Sequence, residues 1–311
     1  MHATDIQTLR TLIAKHKRYD ILFGIIGLLA TLVGVITLLA LFIDLVMGGY
    51  GRLTPEFFTN FPSRRAEEAG ILSAWVGTIL VMLVTVAAAV PMGIAGAVYL
   101  EEYAPKNWVT DLIEINVTNL AGVPSIVYGL LALGLFVYIL DFGQSILSAG
   151  LTLALLILPV IIVATRESLR AIPVAIREAA YALGATRWQM VSDHLIPYSM
   201  GGILTGVIIG MARAIGETAP IITIGALTFI AFLPPLPGTI DPARNMPAGP
   251  FDWLFSPFTV LPIQMFNWVS RPQAAFLENA AATGIVIIVA TLAMNALAIW
   301  LRYRIRKNIK W

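Results

Sequence analysis

Five stretches of the chain contain no Asp, Glu, Lys or Arg: Ile21 to Ile43, Ile71 to Leu100, Ile115 to Leu140, Phe142 to Thr165 and Asn279 to Leu301. A helix rises about 1.5 Å per residue and a bilayer core is about 30 Å thick, so each run is long enough for one transmembrane helix. A sixth span is expected over about 198–220, with Arg213 and Glu217 inside it and an apolar extension running on to Ile240. The pattern predicts an all-α, polytopic membrane protein with about six transmembrane helices. The first run is longer than a signal-peptide core of about 7–15 residues and no small-residue cleavage site follows it. It is read as a retained helix over 21–47, preceded by an N-terminal segment 1–20 and followed by an outer loop 48–70.

The segment 234–278 has no charge from Trp253 to Ser270 but carries Pro257, Pro262 and Asn267. Proline breaks helices and aromatic residues favour the headgroup level, so Trp253, Phe255, Phe258 and Trp268 suit short interfacial or re-entrant pieces of an outer loop. Positive charge then tests the topology. Fourteen Lys and Arg fall on the expected inner side, in the N-terminal segment, at Lys106, in the segment 166–197 and in a basic tail 302–311. Five fall outside: Arg52, Arg64, Arg65, Arg244 and Arg271. Both termini are expected on the cytoplasmic side. The region 71–301 forms the core of the protein, interrupted by the inner loop 166–197 and the outer loop 234–278.

Composition agrees with this reading. Apolar residues make up 58% of the 311 and charged residues 12%, against roughly 25% charged in a soluble domain. The net charge of +2 is spread in clusters between apolar runs, which argues against nucleic acid. Cysteine is absent, and the three histidines, His2, His16 and His194, lack the spacing of a helical metal site, so no metal or redox centre is expected.

The inner loop reads RESLRAIPVAIREAAYALGATRWQMVSDHLIP from Arg166 to Pro197. Pro173 can open a helix, Ile176, Ala179, Ala180 and Leu183 make an apolar stripe, Gly184 can end it in the left-handed region and Thr186 can cap a second short helix. An amphipathic loop carrying Arg177, Glu178, Arg187 and Asp193 can lie on anionic lipid. The order Glu178-Ala179-Ala180, Gly184, Pro197 resembles the EAA loop of binding-protein-dependent ABC importer permeases: EAA, three residues, Gly, nine residues, Ile-x-Leu-Pro. His194 and Ile196 depart from its last part. The resemblance implies the type I ABC importer permease fold, with a cytoplasmic EAA loop docked on a separate ATPase through Arg177, Glu178, Ala179, Ala180, Gly184, Arg187 and Pro197. The chain has no G-x-x-x-x-G-K-[ST] phosphate loop, so ATP and Mg would belong to that partner and no cofactor to this chain.

Arg213 and Glu217, four residues apart, share a helix face and can pair. If the helix enters near Pro197, Arg213 lies about 24 Å along it. A charge at that depth faces a bundle interior or a watery path. Two readings stand: a structural ion pair, or a guanidinium that offers paired donors to a tetrahedral oxyanion while Glu217 orients it. Arg213 to Pro220, RAIGETAP, resembles the signature of PstA-type permeases of phosphate importers, as do Val98 to Tyr103, Asn119 to Ser125 and Phe258 to Trp268. Together they cover most of the chain from about residue 71 onward. This resemblance implies a permease subunit importing inorganic phosphate, non-catalytic itself, beside a PstC-like permease, a PstB-like ATPase and a PstS-like periplasmic phosphate-binding protein in the bacterial inner membrane. Arg213, Glu217 and Thr218 would line the substrate path. That family usually carries an arginine four residues after the fourth-span proline, where Val163 follows Pro159 here. Arg166 either replaces it or anchors the helix at the interface. Asn116 and Asn119 bridge helices or line the path, and Gly122 with Pro124 marks a break point. An importer of another oxyanion such as sulfate or molybdate, a proton-coupled secondary transporter using Glu217, and a non-transporting signalling scaffold remain alternatives.

Overall fold

The computed structural model describes residues 3–235, 238–239 and 247–307. Arg244, Lys310 and the end of the apolar extension at Ile240 lie outside the described residues. Helix α1 (Ala3–Gly49) runs through both the N-terminal segment and the first span. The described chain continues through α2 (Pro55–Thr59), α3 (Leu72–Val98), α4 (Trp108–Leu120), α5 (Ser125–Ala132), α6 (Ile146–Arg170), α7 (Val174–Ala182), α8 (Arg187–Gln189), α9 (Ile196–Gly216), α10 (Ala219–Ile224), α11 (Leu261–Val269) and α12 (Ala275–Lys307). Among the described residues, five helical stretches are long and apolar enough to cross a membrane, and the bent pair formed by α4 and α5 makes a sixth.

The core is built on α3, α6 and α9, which approach closely because small residues sit at their crossings. Gly150 of α6 lies against Val84 of α3, Gly93 of α3 against Ile161 of α6, and Gly206 of α9 against Ala164 of α6. In hydrocarbon, where apolar burial gives little net drive, such close packing holds helices together. Thr85 adds a polar tie: its hydroxyl donates to Val81 O at 2.8 Å and Gly150 O at 3.1 Å. Helix α12 packs on α9, and α1 packs on α12, where Gly49 meets the backbone of Ala281 and Ala282. The apolar window of α1 is otherwise unburied within the chain.

The break expected at Gly122 and Pro124 is present, and the structure refines the third span, the fifth span and the outer loop. The third span is two helices meeting at 108°. Pro124 disfavours helix at Val123, so the chain turns over Gly122 to Pro124 and restarts at Ser125. The fifth span ends at Gly216, because the ring of Pro220 would collide with the carbonyl four residues back. Glu217 is extended, and a separate α10 follows until Gly225 ends it in the left-handed region with φ 97°. The apolar extension therefore does not lengthen the span. The outer loop contributes α11, which is buried between α3 and α12 and so fits the re-entrant alternative rather than the interfacial one. Trp268 and Gln264 are fully buried there, and the Leu261 amide donates to Thr78 Oγ1 at 2.9 Å. Nine residues span only about 13 Å, so α11 does not cross the membrane.

Candidate functional site

Arg213 occupies the last turn of α9, where a cation is favoured by the exposed carbonyl ends of the helix. Its Nε donates to Glu217 Oε1 at 3.3 Å. The expected pair therefore forms, although Glu217 reaches it from extended backbone just past the helix. Both side chains are partly accessible, Arg213 at 35% and Glu217 at 19%. Only Nε is engaged among the described residues, which leaves the two terminal nitrogens for a second acceptor. Thr218 is half-buried at the start of α10. Beside the pair, Thr78, Met82, Leu153, Ala214, Glu217 and Ile221 border a cavity of about 10 Å³, room for roughly one water.

Asn116 and Asn119 stand on α4 and are exposed. Asn116 Nδ2 donates back to Leu112 O at 2.8 Å. Asn119 borders an open recess of about 420 Å³ with Asp111, Glu114, Ile115 and Thr118. Neither asparagine lines the cavity at Arg213. Tyr128 of α5 braces the bend, its hydroxyl donating to Leu120 O at 2.8 Å.

Arg166 belongs to a separate cluster at the end of α6 that leads into α7. It is 5% exposed and pairs with Glu114 Oε2 at 2.7 Å and Glu101 Oε2 at 3.4 Å. Arg170, one turn on, binds the same two carboxylates at 2.9 and 3.0 Å. Two guanidiniums and two carboxylates thus neutralise one another across α3's end, α4 and α6. Glu101 lies in a wider π turn, Tyr99–Tyr103, that continues α3. The guanidinium of Arg166 is committed to protein carboxylates here, unlike that of Arg213. Glu101, Glu102, Glu114 and Arg170 escaped the sequence-based site; the signal was two adjacent carboxylates directly after a charge-free run.

The loop between α6 and α9 has the expected first short helix, α7, but the second, α8, is not separate: it runs on through a π turn, Met190–Leu195, into α9 as one helical stretch Arg187–Gly216. Gly184 takes φ 84° after α7. Thr186 caps α8 by a capping box, accepting from Gln189 N at 3.3 Å while the Gln189 side chain accepts from Thr186 N at 2.9 Å. Pro197 sits in the first turn of α9. The expected apolar stripe is only half used: Ala180 is buried and Ile176 half-buried, but Ala179 is exposed and Leu183 is 89% exposed. Glu178, Val174, Tyr181 and Trp188 are exposed as well, making an apolar face with an acid on it. Arg177 turns the other way, into the protein, and pairs with Glu102 at 2.8 Å. The Arg187 guanidinium lies 5.5 Å from the centre of the Tyr103 ring, a cation–π distance.

A long-helix bundle with a broken third span, a half-helix folded into its core and a two-helix loop displaying an EAA sequence has the type I ABC importer permease fold. Residues 89–311 match the model of the binding-protein-dependent transport system inner membrane component, and the chain belongs to that family. It is 31% identical over 295 residues to the probable ABC transporter permease protein YqgI of Bacillus subtilis strain 168, covering 92% of this chain and 95% of that one. It is 34% identical over 229 residues to the phosphate transport system permease protein PstA 1 of Mycobacterium tuberculosis strain CDC 1551, covering 73% of this chain and 69% of the relative. The fold matches a chain of a bacterial alginate ABC transporter crystallised with an alginate-bound periplasmic protein, with a TM-score of 0.64 at 17% identity over 93% and 96% of the two chains. The protein is a multi-pass membrane permease component.

Proposed function

We propose that this chain is a permease subunit of an ATP-driven importer that carries inorganic phosphate inward across the bacterial inner membrane. The observation that carries the reading is the Arg213 guanidinium: Glu217 takes its Nε and, among the described residues, leaves the terminal N–H fork open, a geometry suited to two oxygens of a tetrahedral oxyanion. When the path is empty, Glu217 compensates the charge; when phosphate arrives, the fork binds it without a wholesale rearrangement of the pair. The similarity to PstA permeases supports phosphate among the oxyanions.

Transport follows alternating access. The loop carrying Glu178, Ala179, Ala180 and Gly184 faces the cytoplasm and docks by its exposed apolar face on a PstB-like ATPase, which binds ATP and Mg and does the hydrolysis. A PstC-like permease completes the path and a PstS-like protein delivers phosphate to the outer loops. Both termini lie in the cytoplasm. The cavity beside Glu217 holds only about 10 Å³, so passage needs a change of state driven from the loop.

The test is labelled phosphate uptake by vesicles containing this chain and its three partners, with ATP in the compartment that meets the loop. Uptake is expected for the native chain and a loss of at least tenfold for Arg213→Ala in a complex that still assembles and hydrolyses ATP. Uptake of sulfate or molybdate in place of phosphate overturns the substrate; no anion flux at all overturns the transport reading.

A further inference from the structure

The loop residues that meet an ATPase are exposed, yet one member of the EAA helix points inward and makes more bonds than any neighbour. Arg177 Nε and a terminal nitrogen both donate to Glu102 Oε1, at 3.2 and 2.8 Å. The guanidinium also donates to Ile172 O at 2.9 Å and Leu169 O at 3.0 Å. Those carbonyls belong to the last turn of α6 and to Ile172, two residues past its end, where carbonyls have no partner four residues on in the helix. One side chain on α7 therefore clamps the end of α6 and the π turn that follows α3.

The next carboxylate in that turn, Glu101, faces the other way and binds Arg166 and Arg170 of α6. Both arginines in turn hold Glu114 of α4. The chain of charges runs α7, Arg177, Glu102, the peptide between Glu102 and Glu101, Arg166 with Arg170, Glu114, α4. Its far end is one arm of the broken third span, the arm on the loop side of the 108° bend. The apolar cluster beneath the loop, with Val98, Leu169, Ala180 and Met190, holds α7 down without fixing direction, because apolar contact is non-directional. Forked, charge-assisted hydrogen bonds set direction and length.

We infer that Arg177 is a positioning residue that transmits movement of the EAA helix to α4, through Glu102, Glu101 and the Arg166–Arg170–Glu114 cluster, and is not itself an ATPase contact. Arg166 is then the inner relay of the same line. The inference rests on the proposed reading only in that the loop engages an ATPase; it does not depend on which anion is carried.

The chain has no cysteine, so spin labels can be placed at will. In the assembled complex, one pair joins Ala182→Cys on α7 to Leu297→Cys on α12, and a second joins Ile113→Cys on α4 to the same reference. Native protein is expected to shift both distances when ATP binds. In Arg177→Gln the α7 shift persists while the α4 shift falls below a third of native, and Arg177→Lys restores at least half of it. The double variant Arg166→Gln/Arg170→Gln, which removes both guanidiniums that join Glu101 to Glu114 and leaves α7 untouched, is expected to do the same and serves if Arg177→Gln fails to assemble. An α4 shift that survives both variants, or native α7 movement without α4 movement, overturns the inference. Phosphate uptake by the same native vesicles reports on the transport reading separately: intact shifts without uptake sink that reading and leave this one standing.

Discussion

Arg52 and Asn279, 227 positions apart, are joined by a 2.6 Å hydrogen bond from Nε to Oδ1. Both also serve the same carbonyl: Arg52 donates to Ala66 O at 2.7 Å and Asn279 Nδ2 to it at 2.8 Å. Asn279 is fully buried. The pair ties the end of α1 and the following loop to the start of α12, at the end of the bundle opposite the EAA loop.

Replacing Asn279 by Ala strands Arg52 Nε and removes a donor from Ala66 O. A buried partner left unsatisfied costs about 1–3 kcal/mol. The expected result is a lowered thermal midpoint of the detergent-solubilised protein, read by tryptophan fluorescence, with Asn279→Asp closer to native because it keeps the acceptor.

On the proposed reading, the fork at Arg213 matters more than its charge. Lysine keeps the charge but offers no paired planar donors. Arg213→Lys is expected to keep less than a tenth of native phosphate uptake, a loss of about 1.4 kcal/mol or more in the transport step. Uptake near native would show that a point charge suffices.

Gly184 stands at φ 84° with open space around its α-carbon. A side chain there meets no neighbour, so the cost of substitution is conformational, roughly 1–2 kcal/mol for a residue with a Cβ. Gly184→Val is expected to reach the membrane in normal amount yet retain less ATPase in pull-down, because the end of α7 reorients. Gly184→Asn, which tolerates the left-handed region, should retain more.

The Gln264 carboxamide has neither oxygen nor nitrogen bonded among the described residues, though it is fully buried on α11. Replacing such a group by an apolar one of similar shape relieves its desolvation cost. Gln264→Met is expected to raise the thermal midpoint in detergent; a drop would mean that the amide finds a partner in the isolated protein.

Much of the loop was legible because its signals are local. Thr186 caps α8 through Gln189 three residues on, and Gly184 supplies the left-handed turn without help from afar. The Arg213–Glu217 pair was legible for the same reason, being four residues apart. Its backbone was not: Pro220 stops α9 at Gly216, a local rule that the apolar run through this region had obscured. The motif groups Arg177 with the ATPase-coupling residues, and only its partner Glu102, 75 positions away, turns its guanidinium inward.

The sequence by itself determined that the chain spans a membrane about six times, because a bilayer demands uncharged helical runs of fixed length and these are written in consecutive residues. It also determined the EAA loop sequence and the pairing of Arg213 with Glu217 four residues on. Tertiary structure alone decided where the other charges go. Arg166 was legible as an arginine near the end of a span, but whether its guanidinium faces substrate, lipid headgroups or protein depends on carboxylates at 101 and 114, which α3 and α4 bring to it across 65 and 52 positions. An ion pair in a low-dielectric interior forms wherever the fold brings opposite charges within reach, and sequence spacing sets that reach only within a helix turn or two.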